Sequence, residues 1–284
     1  MMCETHFESV FNNLNTFSLC SFNLEEAELM GNLLKEKLKS ELCIGTFLKI
    51  PRPEVVDILA LSGFDFIICD MEHAQISESE AREVIKTGVA RGIPIIVRLP
   101  DPAQGLVNRL LEAGAAGIQI PRLKSSQDIN ELNSFMHYPP EGKRSVGNAN
   151  LLADYGAIPL QQYLTSENKR VLTVGQFETV EMERPCEPLF EGLDVAFIGP
   201  TDLCVDFGVT GNLDDPRVQE RLNEIELHAK KSNTTLGAFA ANSKDAQKFI
   251  DKGYRFLAVG GDVSLLMKGA KSLVADLKEK ELAK

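Results

Sequence analysis

"FDFIICDMEHAQ", residues 64–75, is the stretch on which the reading of this chain turns. A mostly apolar run, Phe64 to Cys69, stops abruptly in Asp70, Glu72 and His73. A buried strand with that ending either meets solvent or delivers ionisable side chains into a site. The surrounding pattern chooses between the two. Seven more short runs of the same kind flank it: CIGTFLKI (43–50), IPIIVRLP (93–100), GIQIPRL (117–123), RVLTVGQFE (170–178), DVAFIGP (194–200), LGAFAA (236–241) and RFLAVGGD (255–262). Between them lie segments with helical apolar faces, among them PEVVDILALSG (53–63), SESEAREVIKTGVARG (77–92), AQGLVNRLLEAGA (103–115) and VQERLNEIELHAKKS (218–232). Several begin at Ser or Pro and end at Gly, the start and stop signals of helices. Strands separated by helices imply βαβ units and a parallel sheet. Eight such units match a (β/α)8 barrel, whose usual size is about 250 residues. An open doubly wound sheet places a glycine-rich phosphate loop after its first strand; here the first strand runs into KIPRPE (49–54). The expected fold is α/β, a (β/α)8 TIM barrel over residues 41–284.

Residues 1–40 break that rhythm. THFESVFNNLNTFSLCSFN (5–23) is Asn-, Ser- and Phe-rich without a clean period, and LEEAELMGNLLKEKLKSE (24–41) reads as one amphipathic helix. This part is expected to be an N-terminal extension, partly disordered and ending in a helix.

Composition removes several classes of function. With 30 Lys+Arg against 41 Asp+Glu, the formal charge is −11, and no basic cluster offers a phosphate backbone a surface. No nucleic-acid partner is expected. The six cysteines (Cys3, Cys20, Cys43, Cys69, Cys186, Cys204) are scattered without a C-x-x-C pair, which speaks against a disulfide framework or zinc knuckle and for a reduced, cytoplasmic setting. No apolar stretch approaches the roughly 18–20 residues that span a bilayer. The N-terminus has Glu4 and Glu8 and no apolar core, unlike a secretory signal.

Barrel chemistry sits at the C-terminal ends of the strands. There the second run delivers Asp70, Glu72 and His73, the third Arg98, the fourth Arg122, the fifth Gln176 and Glu178, and the sixth Asp202 and Asp206. The last two add Asn242 and Asp262. Charges at the ends of strands otherwise built from Val, Ile, Phe and Leu are costly unless paired, metal-bound or functional. Glu178 and Asp202 form an oxygen-only pair suited to a hard divalent ion such as Mg²⁺ or Mn²⁺. His73, alone of the four histidines at a strand terminus, is the natural general acid or base. Arg98 suits a carboxylate or a developing oxyanion. No strand end presents a lysine at this chemistry. Metal, base and cation together describe enolisation of a 2-oxo acid.

FDFIICDMEHA, PIIVRLPDP, LLEAGAAGIQIP, YPPEGKRSVG, VGQFET and FIGPTDLCVDFG also resemble the successive blocks of the metal-dependent pyruvate aldolases of the HpcH/HpaI family, over about Cys43 to Leu266. The resemblance implies reversible aldol cleavage of a 4-hydroxy-2-oxo acid to pyruvate and an aldehyde, with Mg²⁺, Mn²⁺ or Co²⁺ as cofactor. It implies His73 as the acid/base acting through water and Arg98 as the contact that stabilises the enolate. Glu178 and Asp202 would hold the metal. Gln176, Arg98, Asp202 and the backbone at Thr201 would hold the pyruvate unit. The carboxylate that tunes the histidine would be Asp70 or Glu112. The family's homohexamer, with the last helix exchanged between neighbours, would be the partner state. Three departures stand out: NANLLADYG (148–156) lacks the family's arginines, Arg122 replaces its usual His or Met, and the extension over residues 1–40 is not part of the usual pattern. The first two bear on the aldehyde or the subunit contact.

The rivals are an oxaloacetate decarboxylase, a citrate-lyase-β or malyl-CoA-lyase-like enzyme, and an idle barrel kept for assembly. Several residues carry plainer readings. Asp206 reads as a capping or supporting residue, VGGD (259–262) as a tight turn, Cys69 and Cys204 as packing residues. His137 and His228 sit on helical segments and need no functional role.

Overall fold

The computed structural model describes residues 34–282, with side chains described to 278. Eight parallel strands close into a barrel in sequence order, the first pairing with the last. They are β1 (Cys43–Leu48), β2 (Phe66–Asp70), β3 (Ile95–Arg98), β4 (Gly117–Ile120), β5 (Leu172–Phe177), β6 (Val195–Ile198), β7 (Thr235–Ala240) and β8 (Phe256–Gly261). The (β/α)8 expectation holds, and all eight runs picked from the sequence are strands.

The helices between them are α1 (Pro53–Leu61), α2 (Glu78–Arg91), α3 (Gln104–Ala113), α4 (Ser126–Met136), α5 (Leu160–Arg170), α6 (Pro200–Asp206), α7 (Pro216–Ser232) and α8 (Ser243–Asp251); α9 (Asp262–Leu282) follows β8. Local chemistry sets their ends. Ser77 and Glu80 form a reciprocal capping box at the start of α2, and Gly92 ends it in the left-handed region at φ 71°. Helices outside and side chains inside bury every residue of β2 to β6, which is why those runs show no polar alternation. The barrel interior is filled by Phe47, Phe66, Ile68, Ile96, Val174, Phe197 and Phe256, with the Phe66 and Phe256 rings stacked at 4.0 Å.

Residues 34–38 are helical, and Leu34 and Leu38 join the interior cluster beside the strand-starting residues Cys43, Phe66, Leu172 and Val195. That short helix therefore closes the N-terminal end of the barrel. The rest of the expected extension, residues 1–33, lies outside the described residues. The helix α5 carries a mostly polar sequence, and Glu167 on it is fully buried between Arg144 and Arg170. Arg144 of the YPPEGKRSVG block also stacks on Tyr138, 4.5 Å from its ring centre. That arginine anchors the long β4–β5 connection.

Candidate active site

Asp70, the last residue of β2, is wholly buried and spends its carboxylate on its neighbours. Oδ1 accepts the Arg98 Nε–H at 3.0 Å and the backbone N–H groups of Glu72 and His73 at 3.2 Å each. Oδ2 lies 2.8 Å from Arg98 Nη2 and 3.3 Å from Lys49 Nζ. Burial works to raise this carboxyl, but the Arg98 guanidinium, the His73 N–H and the Lys49 charge outweigh it and hold it below the usual range. Asp70 thus orients both Arg98 and the turn that presents His73. The other face of Arg98 covers the Phe47 ring at 4.6 Å.

Glu72 stands between the cation and the base, with Oε2 3.2 Å from Arg98 Nη1 and 3.6 Å from His73 Nε2. Among the described residues it is the carboxylate paired with the imidazole. Asp70 reaches only the backbone of His73. Glu112 sits on α3, accepts from Asn108 at 3.3 Å, lies against Gly147 and is raised by burial against the pull of Arg144. The chain itself does not bring Glu112 to His73.

Across the mouth, β5 ends in Gln176, Phe177 and then Glu178. Gln119 donates to Gln176 Oε1 at 2.5 Å, and the Gln176 amide in turn donates to Glu178 Oε2. Glu178 Oε1 accepts the Arg122 N–H at 2.8 Å. Arg122 adopts φ 48° to present that N–H, a conformation rare outside glycine. A Cβ at Gly199 would run into Glu178 Oε2, so only glycine leaves this carboxylate its place. Burial first, then the negative charges of Asp202 and Glu72, push the Glu178 carboxyl up to about 7 despite the two donors. Asp202 follows in the first turn of α6, exposed to the mouth.

These residues fit a hard divalent ion. Glu178 and Asp202 are oxygen donors that repel one another without a cation, and Gly199 clears space beside Glu178. A cavity of about 520 Å³ fills the mouth. His73, Arg98, Gln176, Thr201 and Asp202 line it, over a floor of Phe47, Phe197 and Phe239.

Sequence reasoning missed Lys49 and placed no lysine at a strand end. Lys49 directly follows β1 and lines the cavity. The signal was its position, one residue past an apolar run. Its Nζ faces the buried Asp70 carboxylate rather than an apolar pocket, the setting that activates an amine for Schiff-base formation. Asp262 also belongs here: buried, it accepts the N–H groups of Lys49 (3.0 Å), Ile50 (2.8 Å) and Val263 (2.7 Å). It clamps the loop that carries Lys49.

Other strand-end candidates fall outside the site. Asn242 caps α8, accepting the Asp245 N–H at 3.0 Å. Asp206 accepts from Thr179 Oγ1 and the Val180 N–H and lies 3.6 Å from Arg122, a supporting role. VGGD (259–262) is not the separate tight turn expected: Val259–Gly261 end β8, with Gly260 at φ 64°, and Asp262 opens α9 directly. Cys69 and Cys204 are buried, and burial pushes the Cys69 thiol up to about 12.

Against known proteins, the family described as HpcH/HpaI aldolase/citrate lyase matches residues 43–269. A 4-hydroxy-2-oxo-heptane-1,7-dioate aldolase from Escherichia coli is 31% identical over 252 residues, covering 87% of this chain and 95% of that protein. A hydroxypyruvate/pyruvate aldolase from Paraburkholderia phytofirmans is 27% identical over 87% of this chain and 98% of its own. The crystal structure of an HpcH/HpaI aldolase from Desulfitobacterium hafniense superposes with a TM-score of 0.81 at 28% identity, over 87% of this chain and 96% of that one.

Proposed function

The chain belongs to the HpcH/HpaI aldolase/citrate lyase family, and from its barrel mouth we propose a divalent-metal-dependent pyruvate aldolase. It would cleave a 4-hydroxy-2-oxo acid reversibly to pyruvate and an aldehyde. The observation that carries this reading is the convergence of His73, Arg98, Gln176 and Asp202 on one cavity with Glu178 directly behind Gly199. Glu178 and Asp202 would hold the ion, which when bound supplies Lewis-acid stabilisation of charge on the 2-oxo acid.

Each residue of the chain then has a task. Gln176 and the Thr201 backbone orient the pyruvyl end. Arg98, fixed by Asp70 and Glu72, meets the negative charge that grows on the keto oxygen as the C3–C4 bond breaks. His73, half exposed at the rim, takes the 4-hydroxyl proton through water. The bonding pair of C3–C4 passes to C3, giving the pyruvate enolate and releasing the aldehyde, and C3 then recovers a proton by the same water path. Asp70 acts through Arg98 and the His73 turn, as a positioning residue. The aldehyde end would lie toward Arg122 and the arginine-free segment 148–156. The protein is read as cytoplasmic; no helix among the described residues is long and apolar enough to cross a membrane.

The test is pyruvate release, coupled to lactate dehydrogenase, from a panel of 4-hydroxy-2-oxo acids and from oxaloacetate. Turnover of at least one hydroxy-oxo acid at a rate above oxaloacetate decarboxylation is expected. Decarboxylation alone, across a panel of different chain lengths, would favour the decarboxylase reading instead.

A further inference from the structure

A second cluster of metal-binding side chains lies away from the mouth. The 3₁₀ turn Glu187–Phe190, between β5 and β6, packs against α7. Ligand atoms of Cys186, Glu187 and His228 come within 4.8 Å of one another there. Cys186 is 2% exposed and His228 8%. The imidazole stacks on Phe190, with ring centres 5.9 Å apart. Its Nε2 faces Glu187 Oε1 at 3.8 Å, beyond hydrogen-bond reach, and among the described residues the ring makes no hydrogen bond. The ring is thus nine-tenths buried, faces a carboxylate and a thiol, and has a nitrogen free to ligate. Glu224, four residues before His228 on the same helix, brings Oε1 to 3.4 Å from Cys186 Sγ.

We propose that Cys186, His228 and Glu187, with Glu224 as fourth donor, bind a borderline divalent cation, Zn²⁺ or Co²⁺. Thiolate, imidazole and carboxylate are the donor set of tetrahedral zinc sites, with metal–ligand distances of about 2.0–2.3 Å. The three donors need to close by only about 1 Å to meet those distances, and Glu187, 59% exposed, is free to swing inward. The sulfur sets this site apart from the oxygen-only pair at the mouth, which suits a harder ion. Arg184 and Arg221 pair with Glu224 and oppose a cation. Arg184 is exposed and can turn to solvent, while Arg221 is anchored on the Thr179 carbonyl at 3.1 Å. On binding, the Cys186 thiol loses its proton to solvent, with no change of oxidation state. The ion would pin the chain that follows Glu178 to α7.

Co²⁺ titration of the metal-stripped full-length protein tests this, read by the thiolate-to-cobalt charge-transfer absorption. Wild type should develop the band within two equivalents, the mouth taking the other. Cys186→Ser should abolish it, and the double variant Glu178→Gln/Asp202→Asn should keep it. Glu187→Gln, at an exposed position that the fold tolerates, and His228→Gln should each weaken binding by more than the about 10–100-fold typical of losing an outer-shell partner. No band in wild type, or a band that survives Cys186→Ser, overturns the proposal.

Discussion

His73 carries the proton in this account, and the residues around it say how much that is worth. It is held by its own backbone on Asp70 and by Glu72 at its ring, so replacing its side chain leaves the Arg98–Asp70 pair in place. His73→Ala should therefore lower kcat by about 10²–10⁴-fold while pyruvate still binds, measured by steady-state kinetics and pyruvate inhibition; wild-type turnover would place the proton path elsewhere. Glu178 gives a pH signature. Its carboxyl rises from 4.5 to about 7 in the metal-free chain, so the folded state holds a proton that the unfolded one has lost between those values. The stability this contributes is complete below 4.5 and lost as pH rises through about 7. Metal must displace the same proton, so Mn²⁺ affinity should rise about tenfold per pH unit below 7 and level off above it. A flat affinity from pH 5 to 8 would contradict the placement of the ion on Glu178. The sequence made the charges at these strand ends visible because apolar runs end in them. It did not show that Asp70 is spent on Arg98, which depends on the register that sets Asp70 beside Arg98 in β2 and β3, nor that Lys49 turns inward, which depends on β1 lying beside β2.

At the scale of elements, one carboxylate ties the first and last units of the barrel. Asp262 opens α9 and accepts from Lys49 and Ile50 just beyond β1, closing the ring where β1 meets β8. Asp262→Ala would leave those half-buried donors to water, a cost of at most about 1–3 kcal/mol, and would release the loop that carries Lys49. Thermal unfolding should show the loss as a lower Tm; an unchanged Tm would mean that water replaces the carboxylate. The strands were legible because both faces are buried and the runs are short and apolar. The helix α5 was harder to read: Leu160–Arg170 is polar, and its buried face is formed by Tyr163, Glu167 and Arg170, a charge network rather than an apolar stripe. The plug formed by Leu34 and Leu38 likewise depends on what the barrel's N-terminal end leaves open.

At the scale of the whole molecule, α9 has an apolar side that no other described residue covers. Leu266 is 67% exposed, Leu273 63% and Leu277 60%, on a helix whose neighbours are β1 and β8 alone among the larger contacts. Such a face asks for a partner, and a second copy of the chain is the proposal that agrees with the family resemblance. Light scattering should find an oligomer, and Leu266→Glu with Leu273→Glu should shift it toward monomer; a monomeric wild type would refute the assembly. Fold, order of blocks and the two halves of the mouth were thus readable from the sequence, whereas the separation of Glu112 from His73 was not. On the proposed function this mouth works through a divalent ion and not through an amine, although Lys49 stands in the cavity. The direct measurement is turnover of a 4-hydroxy-2-oxo acid after exhaustive chelation, with and without added Mg²⁺, Mn²⁺ or Co²⁺, beside treatment with borohydride in the presence of pyruvate. The stripped protein should show no turnover, metal should restore it, and no covalent adduct should form. Full activity in the stripped protein, or pyruvate reduced onto Lys49, would contradict it.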